Sequence, residues 1–186
     1  DSNRPKYINS PDTPLYHKSQ LLYNLTLARN SIKKLGRAIL TEGYLDAMIP
    51  YQEGITNVVA SLGTALSDTH AKLLKRQSDE VIIVYDPDNA GLQATIRGLN
   101  LLVRHGLRVK VALLPPGEDP DSFVRKKSAA EFLKLTEKGI DLIDFHSIET
   151  ANGLGMRAQM SSWLSHRRMR SKDLNGQSVS SNARRS

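Results

Sequence analysis

Five carboxylates in this chain are placed where they could hold a hard cation. Asp86 and Asp88 stand one residue apart at the end of the apolar run Val81 to Tyr85, and Glu42 stands at the end of another such run. Asp119 and Asp121 follow a third, beyond the turn Pro115-Pro116-Gly117. Taken singly, each acid has an ordinary explanation as a helix cap, a lysine partner or a turn residue. Together they would crowd like charges into one crevice at a cost of roughly several kcal/mol unless cations neutralise them. Oxygen donors without His or Cys favour Mg²⁺ or Mn²⁺ over zinc. Acids beyond the strand ends of an open parallel sheet suit a cation held for a phosphate-bearing ligand.

The elements needed to position these acids are legible in the spacing. Val81 to Tyr85 is apolar and mostly β-branched, which predicts a strand buried on both faces. Asn89 can cap the helix that follows, Gly91 allows close backbone approach, and Leu92, Thr95, Ile96, Leu99, Leu102 and Val103 give that helix an apolar face up to Gly106. Upstream, Leu21, Leu25, Ala28, Ile32 and Leu35 predict an amphipathic helix from Lys18 to its stop at Gly36. Arg37 to Thr41 then predicts a strand ending at Glu42. Gly43 turns the chain into a helix closed by Gly54, with Asp46 one turn inside it on the same side as Glu42.

A third strand is expected over Asn57 to Ser61. Gly63 and Thr64 then begin the crossover to a helix capped near Ser67 or Asp68 and ending near Gln77. Arg108 to Leu114 predicts the fourth strand, and Pro115 to Asp121 a turn. Ser128-Ala-Ala-Glu131 is a capping box for a helix to about Lys138, and a last helix is expected over Asp141 to Ile148. The alternation predicts an α/β fold with a parallel sheet of about four strands and helices on both faces. An extended basic lead-in and a helix precede it.

The 186 residues suffice for one domain with a core. Cysteine is absent, so neither disulfides nor a thiolate zinc site can form. No apolar run approaches the roughly 20 residues of a membrane span, so no membrane role is expected and a cytoplasmic location is. The net charge of +7 is unevenly spread: +5 over residues 1–37, −4 over 38–150 and +6 over 151–186. This divides the chain into a basic lead-in with its helix (1–36), an α/β body (37–150) and a basic tail (151–186). The tail is rich in Ser, Arg and Asn beyond Arg167 and is expected to be disordered or truncated. An opening Asp rather than Met suggests a segment of a longer polypeptide.

The pattern Glu42-Gly43-x-x-Asp46 followed by Asp86-x-Asp88-x-Ala90-Gly91 resembles the TOPRIM domain of topoisomerases, bacterial primases, and some nucleases and recombination proteins. Pro5-Lys6-Tyr7-Ile8-Asn9-Ser10-Pro11, Tyr16-His17-Lys18, Ser61-Leu62-Gly63-Thr64 and Glu118-Asp119-Pro120-Asp121 resemble, in sequence and order, the bacterial DnaG-type replicative primases. The similarity runs from about residue 4 to His146.

The resemblance implies that Glu42 is the central acid, a metal ligand or a proton-transfer group. It implies that Asp86 and Asp88 are the principal Mg²⁺ or Mn²⁺ ligands, with Asp46, Asp119 and Asp121 supporting a further metal. Lys6, Asn9, Ser10 and Lys18 match positions facing template and nucleotide, and Gly63 and Thr64 match a loop lining the same crevice. The implied activity is metal-dependent nucleotidyl transfer, making short RNA primers on single-stranded DNA from ribonucleoside triphosphates at the bacterial replication fork. Full primases also carry an upstream zinc module, a further basic subdomain and a helicase-interacting domain. Contact with the replicative helicase, and much of the activity, are therefore expected to depend on parts outside this stretch. The rival expectations are a TOPRIM nuclease or topoisomerase, cleaving through Glu42 as acid or base, and a non-catalytic DNA-clamping module.

Overall fold

The computed structural model describes Thr13 and residues 16–85, 92–142 and 144–145, with residues 85 and 92–97 described by backbone alone. The chain divides into two compact units, Asp1–Leu142 and Ile143–Ser186. The elements that follow belong to the first.

Five strands form one sheet in the order β2-β1-β3-β4-β5. They are β1 (Arg37–Thr41), β2 (Val58–Ala60), β3 (Glu80–Tyr85), β4 (Arg108–Leu113) and β5 (Ile140–Asp141). The first four are mutually parallel, and β5 pairs antiparallel with β4. The helices are α1 (Leu25–Leu35), α2 (Tyr44–Gln52), α3 (Asp68–Lys75), α4 (Leu92–Arg104), α5 (Pro120–Lys126) and α6 (Ala129–Glu137).

Burial explains the absence of polar alternation in the central strands. Ile39, Val58, Ala60 and Val84 join Ala47, Ile49, Phe123, Val124 and Phe132 in one apolar cluster, so α2, α5 and α6 share one face of the sheet. Ala38, Leu40, Val59, Val81 and Ile83 alternate with those strand residues and are also buried. α1 packs on β1 and β2 and α4 on β4, and Ala28, Ile32, Leu99 and Leu102 on these two helices are buried. A strand buried on both faces needs apolar side chains throughout.

The expected α/β architecture is therefore present, with four corrections. The sheet has a fifth, antiparallel strand, in which Ile140 and Asp141 pair with Val111 and Lys110, so the helical residues expected from Asp141 begin only at Leu142. The helix expected from Lys18 begins only at Leu25. Ahead of it stand a 3-10 turn, Lys18–Gln20, and an extended Tyr23 that exchanges two backbone hydrogen bonds with Ala60. This pairing shields the free edge of β2. The expected turn at Pro120 and Asp121 is the start of α5. The third expected strand is shorter than predicted, Val58–Ala60. Gly36 and Gly106 end their helices in the left-handed conformation, as expected. Asn89, Gly91, the lead-in before Thr13 and the tail from residue 151 lie outside the described residues. Among the described residues, no helix is long and apolar enough to cross a membrane.

Candidate metal and nucleotide site

Strand order locates the site. From β1 the chain moves to β2 on one side, then returns across β1 to β3 on the other. The connections diverge at the β1/β3 boundary, and in doubly wound sheets ligands bind beyond the strand C-termini at this switch point. Leu40 pairs with Ile83. Extending that register brings Glu42 level with Tyr85, the residue preceding Asp86 in sequence.

Glu42 is exposed at the end of a strand whose preceding four residues are buried. Its backbone is held by the neighbouring loop: Ser61 N–H donates to the Thr41 carbonyl at 3.1 Å, and Gly63 N–H to the Glu42 carbonyl at 3.1 Å. The loop is shaped by two successive left-handed residues, Leu62 at φ 62° and Gly63 at φ 67°. Thr64 Oγ1 closes it on the Ser61 carbonyl at 2.8 Å. Gly63 and Thr64 thus border Glu42, whereas Lys6, Asn9 and Ser10 lie outside the described residues.

Asp46 folds back along the first turn of α2, where its Oδ2 accepts the Gly43 N–H at 3.0 Å. A Cβ at position 43 would stand 2.9 Å from that oxygen, so any larger residue there would push the Asp46 carboxylate aside. The carboxylate also occupies the positive end of the helix dipole.

The acids after β4 belong to α5. Asp119 is its N-cap: Oδ1 accepts Ser122 N–H at 2.7 Å, while Asp119 N–H donates to Ser122 Oγ at 3.0 Å. Asp121 pairs with Arg125 one turn on. Glu118 accepts Ser122 Oγ at 2.7 Å and Lys126 Nζ at 3.0 Å. These two donors, Ser122 foremost, hold the Glu118 carboxyl below the usual carboxylate range.

Every carboxylate on this edge offers hard oxygen donors of the kind that suit a divalent cation. Among the described residues, no three His, Cys, Asp or Glu side chains are grouped as a ready metal site. Asp86 and Asp88 lie outside the described residues.

Comparison with known proteins decides the family. A profile described as DNA primase catalytic core, N-terminal domain, matches residues 1–29, and a Toprim-like profile matches residues 39–124. A DNA primase of Clostridium acetobutylicum is 46% identical over 146 residues, covering 78% of this chain and 24% of that protein. The primase of Aquifex aeolicus, solved with its zinc-binding and RNA polymerase domains, superposes with a TM-score of 0.70 at 39% identity, over 86% of this chain and 40% of that one. A DnaG primase catalytic domain bound to single-stranded DNA superposes with a TM-score of 0.70 at 37% identity, over 79% and 48%. The chain belongs to the DnaG-type primases. It represents their TOPRIM-containing core and spans about a quarter of the length of the curated primase it matches best among those named here. A TOPRIM domain implies use of a divalent metal, without distinguishing Mg²⁺ from Mn²⁺.

Two features of this edge escaped the sequence reading. Glu118 was read only as part of a turn, although it receives both Ser122 and Lys126. His70 has no part in the sequence reading, yet it is fully buried and bonds to the lead-in. Only its reach back to the cap had a local signal: it stands three residues after a capping serine.

Proposed function

We propose that this chain is the catalytic body of a DNA primase, joining ribonucleotides into short RNA primers on single-stranded DNA in the bacterial cytoplasm. The observation that carries the reading is the switch-point register. It sets Glu42 beside the end of β3, the strand that runs in sequence into Asp86-Pro87-Asp88. Primases at up to 46% identity support the same reading over the nuclease and clamp alternatives.

In this reading Asp86, Asp88 and Glu42 hold Mg²⁺ or Mn²⁺, and Asp46, Asp119 and Asp121 support a further cation. Bound cations supply charge stabilisation for the attacking 3′ oxygen and the departing pyrophosphate. Glu42 either completes the ligand set or takes the proton of the attacking hydroxyl. Lys6, Asn9, Ser10 and Lys18 contact phosphates of template and nucleotide, and the backbone of Gly63 and Thr64 lines the crevice. Ribonucleoside triphosphates are the substrates, and the replicative helicase is reached through another part of the primase.

Mn²⁺ titration monitored by paramagnetic broadening tests the metal assignment. We expect Asp86→Asn to weaken binding at least tenfold. Equal binding by both proteins would overturn it.

A further inference from the structure

We propose that His70 is a positioning residue, which sets where Lys18 stands relative to the acidic sheet edge. The proposal deepens the functional reading and rests on Lys18 contacting phosphate.

The 3-10 turn carrying Lys18 cannot fix its own position. It is three residues long and contains no buried residue. Turns of this length have poor internal hydrogen-bond geometry and no cooperative length to sustain them. Its place is instead set by hydrogen bonds from the start of α3. His70 Nε2 lies 3.0 Å from the Lys18 carbonyl, and Ser67 Oγ donates to the Ser19 carbonyl.

His70 is suited to this because its two ring nitrogens have different tasks. A carbonyl only accepts, so the Nε2 facing Lys18 carries the proton. Nδ1 is then the acceptor and faces Ser67 N–H at 3.4 Å. Ser67 Oγ in turn accepts His70 N–H at 3.1 Å. The imidazole is buried, so rotating it away would leave polar atoms without partners, at roughly 1–3 kcal/mol for each.

The connection continues to the acid edge. Ser67 follows the loop in which Thr64 Oγ1 bonds the Ser61 carbonyl and Gly63 N–H bonds the Glu42 carbonyl. Two sets of hydrogen bonds, one holding the Gly63 loop to Glu42 and one holding the Lys18 turn to Ser67 and His70, are therefore joined by the few residues of chain between Thr64 and Ser67. His70 and Ser67 are the α3 side chains that reach the basic lead-in, and His70 is the one bonded to the Lys18 carbonyl itself.

The test uses the whole 186-residue chain and a single-stranded DNA oligonucleotide, with anisotropy read at physiological salt. Glutamine can place an N–H near the position of Nε2, whereas asparagine reaches only as far as Nδ1. We expect Lys18→Ala and His70→Asn each to weaken binding roughly tenfold, the effect of one lost hydrogen bond to a charged group. We expect His70→Gln to stay within about twofold of wild type, and the Lys18→Ala/His70→Asn double variant to bind no worse than Lys18→Ala. Amide exchange at Gln20 and Leu21, both bonded within the turn, is expected to speed up in His70→Asn but not in His70→Gln. All variants are compared at a temperature where circular dichroism shows each fully folded.

Multiplying penalties in the double variant, or failure of glutamine to rescue, would overturn the positioning role. Weakened binding by Lys18→Ala with unaltered exchange in His70→Asn would overturn the connection alone. Wild-type affinity in Lys18→Ala would instead overturn the phosphate-contact reading, and the positioning role with it.

Discussion

The two carboxylate groups on the described edge are built on different plans. After β4, Glu118, Asp119 and Asp121 are all engaged by α5 itself, through Ser122, Arg125 and Lys126. Two of the three charges are met by cations within two helical turns, and Asp119 is met by the Ser122 amide. After β1, Glu42 extends from a buried strand into solvent, and Asp46 is oriented by the Gly43 amide. A cation at the β4 end must compete with hydrogen bonds that already satisfy the acids. At the β1 end it meets Asp46, held by the Gly43 amide, and Glu42, exposed at the topological switch point. The difference ranks the contributions expected of them under the proposed function, with Glu42 ahead of the acids that cap or pair within α5.

The largest expected effect is on catalysis. In a primase carrying this core, Glu42→Gln is expected to slow primer synthesis on single-stranded DNA by about a hundredfold or more, in the range of lost acid–base or metal-assisted chemistry. Asp121→Asn should cost no more than about tenfold. Equal losses in a ribonucleotide-incorporation assay would remove the distinction between the two groups.

Stability should rank them in reverse. Asp119→Ala removes the N-cap of α5 and should lower unfolding free energy by about 1 kcal/mol in urea titration. Glu42→Gln, at an exposed position, should change it by less than about 0.5 kcal/mol without divalent cation. A larger loss in Glu42→Gln would make Glu42 a structural acid.

The smallest expected effect concerns Glu118. Its carboxyl is held below the ordinary range, first by Ser122, so it contributes stability that is present above its unfolded value of about 4.3 and lost as pH falls through the folded one. Ser122→Ala should raise the folded value toward the ordinary one and lessen acid sensitivity in that window. Carboxyl NMR titration measures this directly. An unmoved Glu118 would assign the depression to Lys126 alone.

The parts legible in the sequence are those specified locally. The apolar β-branched run of β3, the glycine stops at 36 and 106, and the capping serines 67 and 128 each act within one turn or one strand. Parts set by distant partners were not legible. Periodicity carried the first helix back to Lys18, but Tyr23 is extended because it pairs with Ala60 in β2, and nothing near Tyr23 encodes that. Ile140 and Asp141 form a strand because β4 offers an open edge. The α5 start was a missed local signal: Asp119 as N-cap with Pro120 in the first turn marks a helix, and the Pro-Pro-Gly before it drew the reading to a turn. For the site, Glu42, Gly43 and Asp46 were legible as a motif. The hydrogen bonds from His70 and Ser67 to the lead-in span about fifty positions of sequence and could not be.

The central place of β3 also has a mechanical consequence. It is registered by four residue pairs to β1 and by six to β4, whereas β5 is held to β4 by two. Tension applied from the C-terminal side of the sheet would unzip β5 pair by pair. The same tension reaching β3 would have to shear two ladders at once, so the strand that leads into Asp86 is the last rung to slip.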